Sequence, residues 1–157
     1  MSTLINTVKT RLAEVALTVS GVKRAYAEAP KALPEGDMPI LVSFVGPVTS
    51  FEKHGDEMAE ETRTFMLRLY VKPVGAGYDG DAELAVEPFV TSVRDTFLSH
   101  PKLGLNTYAS QIPFVTRMVW LGDGGISTFL YSGNNYVGAE FRISVSVMVP
   151  IGIAKYE

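Results

Sequence analysis

The feature that most constrains the fold is a regular alternation of apolar and polar residues near the end of the chain. Between Tyr136 and Ile151 an apolar residue recurs at every second position, in Phe141, Ile143, Val145, Val147 and Val149. Because successive side chains of a strand point to opposite sides of a sheet, these five share one face. Burying them contributes roughly 7–15 kcal/mol gross, comparable with the net stability of a whole domain. We therefore expect this strand to lie in the core.

Two other segments have the three-to-four-residue periodicity of amphipathic helices. In the first, Thr3 to Ser20, one face carries only apolar residues: Leu4, Ile5, Val8, Leu12, Val15, Ala16 and Val19. Gly21 suits the left-handed turn that ends a helix. The second segment runs from Asp81 to Ser99 and contains Pro88, a residue that disrupts a helix interior. This pattern predicts either a helix that begins near Glu87 or one that is kinked at Pro88.

The remaining β-prone segments are bounded by glycine, proline or asparagine and predict five further strands: 22–27, 40–45, 64–74, 112–121 and 126–131. The charged segment from Phe51 to Glu61 predicts a long, mobile hairpin loop, and Gly122–Gly125 and Ser132–Asn135 predict turns. Together these elements predict a single α+β domain over residues 1–157, with a mostly antiparallel sheet packed against two helices.

The composition excludes several classes of protein. With 157 residues the chain has the size of one domain, and its net charge of -3 provides no basic surface for a phosphate backbone. It has no cysteine, which excludes disulfides, thiolate metal sites and a cysteine nucleophile. The first residues lack the basic and apolar blocks of a secretion signal, and no apolar stretch is long enough to span a bilayer. We expect neither secretion nor membrane insertion.

Charged residues are scarce between Leu103 and Ala139, where only Arg117 and Asp123 occur among several aromatic residues. Protein-binding surfaces have this character, since they are depleted of charge and enriched in Tyr, Trp and Phe. Interior strands also lack charge, so the segment is equally compatible with a core. On the first interpretation we expect an oligomer, with candidate subunit or partner contacts at Phe51, His54, Trp120, Phe129, Tyr131, Asn134 and Tyr136.

No motif predicts a catalytic, cofactor or metal site. The glycines Gly75, Gly77 and Gly80 match a dinucleotide-binding spacing, but the preceding strand alternates in polarity and no acidic ribose ligand follows. The alternating acids from Asp79 to Glu83 lack the closing carboxylate of a calcium loop. His54 is expected to be a solvated residue beside Asp56 and Glu57. We expect no enzymatic activity, no cofactor and no bound metal.

The order of elements is an amphipathic helix ending Ser20-Gly21-Val22, a strand, a Pro/Gly loop, a strand pair, a second helix and a closing block of strands. The second helix ends Leu98-Ser99-His100-Pro101-Lys102-Leu103. Over essentially its whole length, the chain resembles the tail terminator proteins of long-tailed bacteriophages.

The resemblance implies a homo-oligomeric ring, a hexamer, that caps the head-proximal end of the tail tube in the virion neck after assembly in the host cytoplasm. Its partners would be copies of itself, the tail tube protein and head-connector proteins, with DNA passing through without specific binding. The ring would stop tube growth and present the surface that docks to the head. Three alternatives remain at this point: another neck or tail-completion protein, a nucleotide-binding enzyme that uses the loop from Gly75 to Gly80, and a small-ligand binding module that uses Trp120 and Tyr131.

Overall fold

The computed structural model describes residues 4–74, 80–103 and 114–151. They form a five-stranded sheet of order β1-β2-β3-β5-β4, with two helices against one face. The elements, in chain order, are α1 (Leu4–Ala16), β1 (Arg24–Tyr26), β2 (Ile40–Lys53), β3 (Met58–Pro73), α2 (Gly80–Leu98), β4 (Phe114–Tyr131) and β5 (Asn134–Pro150). β1 is parallel to β2, and every other pairing is antiparallel. The predicted α+β class with a mostly antiparallel sheet is confirmed.

The face of the sheet that contacts the helices, called the helix face, holds the main core. It includes the alternating residues of β5 that the sequence placed there, from Phe141 to Val147, all of them buried. β5 lies between β3 and β4, so both of its backbone edges are hydrogen-bonded to neighbours. The opposite side, called the second face, has a smaller cluster at one end that includes Ile40 and Val42.

Both helices differ from the sequence expectation at a specific point. α1 ends at Ala16, four residues before the predicted end, because residues 17–20 form turns in which the Thr18 hydroxyl donates to the carbonyl of Val15, 2.6 Å away. α2 continues through Pro88. Pro88 has no N–H to donate to the carbonyl of Leu84, four residues earlier. Both residues are exposed, so water can hydrate this carbonyl. Among the described residues, no helix has both the length and the apolarity that a membrane crossing requires.

The predicted mobile loop from Phe51 to Glu61 is wrong. β2 and β3 continue into this segment and leave a short connection, across which the backbone N–H of His54 donates to the carbonyl of Met58 at 2.8 Å. The error has a physical cause, since charged side chains exclude a segment from a core but do not prevent two strands from pairing through their backbones.

The predicted turn at Gly122–Gly125 is also absent, because β4 runs through it as one strand of 18 residues. The extra residues are absorbed by register shifts against β5, one of them between Asp123 and Ile126. Gly122 and Gly125 adopt positive φ angles of 125° and 83°, which suit glycine in a β-bulge. The reversal occurs instead at Ser132 and Gly133, whose φ angles are both positive, as in the tight turns of β-hairpins.

Candidate interaction surface

Three of the aromatic residues predicted to contact a partner lie together on the second face, around Tyr70. The rings of Phe129, Tyr131 and Tyr136 meet the Tyr70 ring edge-on, with centroid distances of 6.2, 5.4 and 5.9 Å. Tyr136 is only 2% exposed, so it has no side-chain surface left for a partner. The structure thus brings three of the candidates together around Tyr70, with Tyr136 buried and with Phe129 and Tyr131 partly buried.

A segment of the chain between β1 and β2 covers this aromatic cluster. The hydroxyl of Tyr131 donates a hydrogen bond to the carbonyl of Pro30, and Leu33 and Met38 are buried against the same cluster. Burial raises the pKa of Tyr131 above its ordinary value, and the nearby Tyr70 hydroxyl adds to that shift. The hydrogen bond from Tyr131 to Pro30 therefore connects the covering segment to the sheet.

An ion pair borders the aromatic cluster. The guanidinium of Arg68 lies over the rings of Phe129 and Phe44, at 4.7 and 5.2 Å, and its Nη2 donates to Oε2 of Glu140 at 2.6 Å. Partial burial acts to lower the pKa of Arg68, but the hydrogen bond to Glu140 and the contact with Tyr70 raise it overall. The guanidinium stays protonated, so this pair stabilises the sheet and offers no proton for acid–base chemistry.

The buried hydroxyl of Tyr70 is unusual because it makes no hydrogen bond within the described part of the chain, although Arg68 lies near it. Burial raises the pKa of Tyr70, because the phenolate would be desolvated among aromatic rings. The ring fills the centre of the cluster, so its role is packing.

Trp120 lies on the helix face, away from the other aromatic candidates. Its ring packs against Phe97 of α2, with a centroid distance of 6.2 Å, and against Phe141 of β5, at 5.5 Å. Trp120 therefore joins the sheet to α2 within one subunit. Trp120 is partly buried by these contacts, and its role as a partner contact stays a prediction.

No protein-family model and no curated protein sequence matches the chain. The surfaces that the structure leaves uncovered are therefore the features that bear on function.

One uncovered surface lies along β2. The short strand β1 pairs only with Ile40–Val42, so β2 forms the edge of the sheet beyond that point. Phe51 is 53% exposed and Val48 41% exposed, and Val45 is exposed next to them. They oppose Glu61, Arg63 and Phe65 of β3 respectively. Opposed residues of an antiparallel pair point to the same side, and Phe65 belongs to the core of the helix face. Val45, Val48 and Phe51, called the apolar row below, therefore share the helix face.

Two irregularities in the β2–β3 pairing create the apolar row. Register shifts occur between Val45 and Val48 and again before Ser50, so residues three apart in sequence reach the same face. Arg63 holds the first shift in place, because its Nη1 donates to the carbonyl of Gly46 at 2.9 Å. An alanine Cβ at Gly46 would lie 2.6 Å from the carbonyl oxygen of Thr64. The sequence predicted Phe51 as a candidate partner contact within a charged loop, and it missed Val45 and Val48, since a bulge breaks the period of two.

The helices are too short to cover the sheet along its full length. β3 has 16 residues, which at ~3.3 Å per residue extend about 53 Å. α2 has 19 residues, which at ~1.5 Å per residue extend about 28 Å, and α1 is shorter. The β2–β3 hairpin therefore extends beyond the helices, and the apolar row at its end stays exposed.

Further exposed apolar residues occur along β4, at the opposite edge of the sheet and on both of its faces: Leu130 opposes Asn135 on the helix face, whereas Val119 opposes Ser144 on the second face. Leu130 is 66% exposed, and Val119 and Leu121 are also exposed. Part of the β4 edge is occupied, because the backbone N–H of Met118 donates to the carbonyl of Pro101 at 2.8 Å. Residues 126–131 pair regularly with β5 and carry no charge. The bulges earlier in β4 take the place of charged residues in discouraging unwanted strand pairing.

Among the described residues, Asn134, Gly80 and the acidic residues at the start of α2 are not assembled into a site. Asn134 is exposed and borders an open depression of about 300 Å³, lined by Glu35, Pro73, Val74, Gly133, Asn134 and Asn135. Residues 75–79 lie outside the described part of the chain, and Gly80 begins α2. β3 is antiparallel to both of its neighbours, whereas a dinucleotide fingerprint follows a parallel strand. Asp81 and Glu83 lie in the first turn of α2, where acidic residues favour a helix.

Proposed function

We propose that this chain is a structural subunit that assembles with copies of itself into a closed ring, as the tail terminator of a long-tailed bacteriophage. In this role the ring caps the head-proximal end of the tail tube, stops its growth and presents a docking surface to the head. The proposed partners are other copies of the chain, the tail tube protein and head-connector proteins.

The observation that carries the proposal is the position of exposed apolar side chains at two opposite edges of one sheet. The apolar row lies at the β2 edge, and Val119, Leu121 and Leu130 lie at the β4 edge. Contacts between two different edges are heterologous, and heterologous contacts that close produce rings. An isologous dimer, in contrast, would use the same surface twice.

Further support comes from the order of elements and from the charge of the chain. The order resembles that of tail terminators, and the described part has two long hairpins joined in one sheet. The net charge of -3 suits a channel through which DNA slides, because nonspecific DNA binding depends on basic side chains.

The terminator role is tested by adding the purified chain to the tail tube protein encoded nearest to it while that protein polymerises. We expect tubes that stop growing and carry a ring at one end, seen by negative-stain electron microscopy. Tubes of unchanged length without bound rings would contradict the terminator role.

The interface is tested separately with two variants, Phe51→Ser and Leu84→Ser. Both remove an exposed apolar side chain, and Leu84 is the more exposed of the two at 63%, but it lies on α2. We expect Phe51→Ser to weaken ring formation at least 10-fold, as the loss of about 1.4 kcal/mol at a well-packed aromatic contact would do. Leu84→Ser should assemble as the wild type does. Equal effects of the two variants would contradict a specific role for the β2 edge.

A further inference from the structure

Three potential metal ligands meet at the tip of the β2–β3 hairpin, on the second face. They are Glu52, His54 and Glu60, and one ligand atom of each lies within 4.8 Å of the others. The closest approach of the histidine is 3.9 Å, from its Nε2 to Oε1 of Glu60. The sequence had paired His54 with Asp56 and Glu57, but the hairpin register brings different carboxylates to it.

The two carboxylates are directly opposed in the strand pairing, Glu52 against Glu60. Like charges in this position destabilise an antiparallel pair. Among the described residues, no lysine or arginine lies within 4.0 Å of either carboxylate, and the neighbouring Lys53 opposes Ala59 on the other face. The strand pairing therefore places the carboxylates of Glu52 and Glu60 beside the imidazole of His54, with no lysine or arginine of the described residues in contact with them.

A strand two positions away in the sheet orients one of these carboxylates. The hydroxyl of Thr116, in β4, donates to Oε2 of Glu60 at 2.7 Å. Oε1, the oxygen nearest His54, is left to act as a ligand. Outer hydrogen bonds of this kind commonly fix the carboxylates that bind metals.

The donor set identifies the class of ion. One imidazole nitrogen and two carboxylate oxygens suit a divalent first-row transition metal, and zinc accepts three such ligands plus water. A tetrahedral metal about 2.1 Å from each ligand separates the ligand atoms by roughly 3.4 Å. The present separations exceed that value by at most about 1.4 Å, which rotation of exposed side chains can close.

We propose that Glu52, His54 and Glu60 form a binding site for a divalent transition metal, with Zn²⁺ as its preferred probe. The ion bridges β2 and β3 at the tip of the hairpin that carries the apolar row. Neutralising the opposed carboxylates stiffens this tip. The site is independent of the proposed terminator role and holds for a monomer or a ring.

The test is calorimetric titration of the untagged full-length chain with ZnCl2. We expect one Zn²⁺ per chain, with binding at least about 10-fold weaker in His54→Ala and in Glu60→Gln. Thr116→Val should weaken binding while leaving the ligands intact, since it releases Glu60. The matched control is Asp56→Asn, which removes a carboxylate from the same connection without touching the three ligands and should bind as the wild type does.

A second readout distinguishes this site from zinc binding elsewhere on the chain. Hydrogen exchange of the amides in residues 52–60 should slow on zinc addition in the wild type and stay unchanged in His54→Ala. The absence of a binding isotherm for the wild type would overturn the proposal. Binding that His54→Ala and Glu60→Gln leave intact would overturn it as well, because the ion would then lie at another position.

Discussion

Gly138 of β5 occupies the position where the sheet leaves least room for a side chain. It opposes Tyr70 of β3, beside a register shift, and an alanine Cβ built at Gly138 would lie 1.7 Å from the carbonyl oxygen of Leu69. A Cβ essentially never lies closer than 3.0 Å to such an atom, so the backbone must move by more than 1 Å. In Gly138→Ala the central pairing of β3 with β5 is therefore forced apart.

The magnitude follows from two contributions. Overpacking costs about 1–3 kcal/mol, and the local loss of two ladder hydrogen bonds adds about 1 kcal/mol each. We expect Gly138→Ala to lower the free energy of unfolding by about 3–5 kcal/mol. For a chain of this length, this loss corresponds to a fall in Tm of roughly 6–20 °C.

The assay is urea unfolding followed by circular dichroism, with Gly124→Ala as the matched control. At Gly124, in β4, the added Cβ approaches the carbonyl oxygen of Glu140 no closer than 4.0 Å, and the φ angle is not positive. We expect the control to change stability by less than about 1 kcal/mol. If Gly138→Ala is as stable as the control, β3 and β5 do not approach each other as described, and the reasoning fails.

Three further substitutions test the core. Val145→Asp places an unpaired carboxylate at a buried position of β5, and we expect no cooperative thermal transition by circular dichroism. Trp120→Ala should lower the free energy of unfolding by about 3 kcal/mol, because Trp120 packs against Phe97 and Phe141. If the variant keeps the wild-type urea midpoint but no longer assembles, Trp120 is a partner contact instead. Tyr70→Phe removes a buried hydroxyl without a partner and should raise stability by about 1 kcal/mol at pH 7. Since the folded-state pKa of Tyr70 is raised, Tyr70 ionises more readily in the unfolded chain, which lowers the free energy of unfolding of the wild type as the pH rises above the ordinary value of 10.0 and has no effect well below it. Tyr70→Phe should therefore lose less stability than the wild type between pH 9 and pH 11 in urea unfolding.

The sequence was most informative where one local pattern determined the structure. The alternation in β5 identified a core strand, because a period of two with consistent apolar residues has only one favourable orientation against a core. The periodicity of α1 identified a helix face in the same way. At Pro88 local rules gave two alternatives, a helix that begins near Glu87 or one kinked at Pro88. The structure excludes the late start, because α2 begins at Gly80 and continues through Pro88.

The sequence was least informative where backbone pairing decides the structure. The residues from Phe51 to Glu61 look like a loop because of their charge, yet the ladder between β2 and β3 extends through them. Val45 and Val48 belong to the apolar row only because register shifts turn them to one side. The proximity of Glu52 to Glu60 depends on the same register, which a sequence read without a partner strand does not specify.

The aromatic residues illustrate a different difficulty. Scarcity of charge between Leu103 and Ala139 was equally compatible with a core and with a partner surface. The structure divides the described part of this segment, since Tyr136 is buried while Leu130 is exposed. Tyr108 lies outside the described residues. Composition averages over the two faces of a strand, so it does not separate side chains that point in opposite directions.

The central claim is that the chain functions by forming a ring with copies of itself. The most direct test is native mass spectrometry of the purified, untagged protein at micromolar concentration, alone and mixed with the tail tube protein encoded nearest to it. The account predicts a closed homo-oligomer, a hexamer, in at least one of these conditions, and its loss in Phe51→Ser. A strict monomer under both conditions would contradict the account.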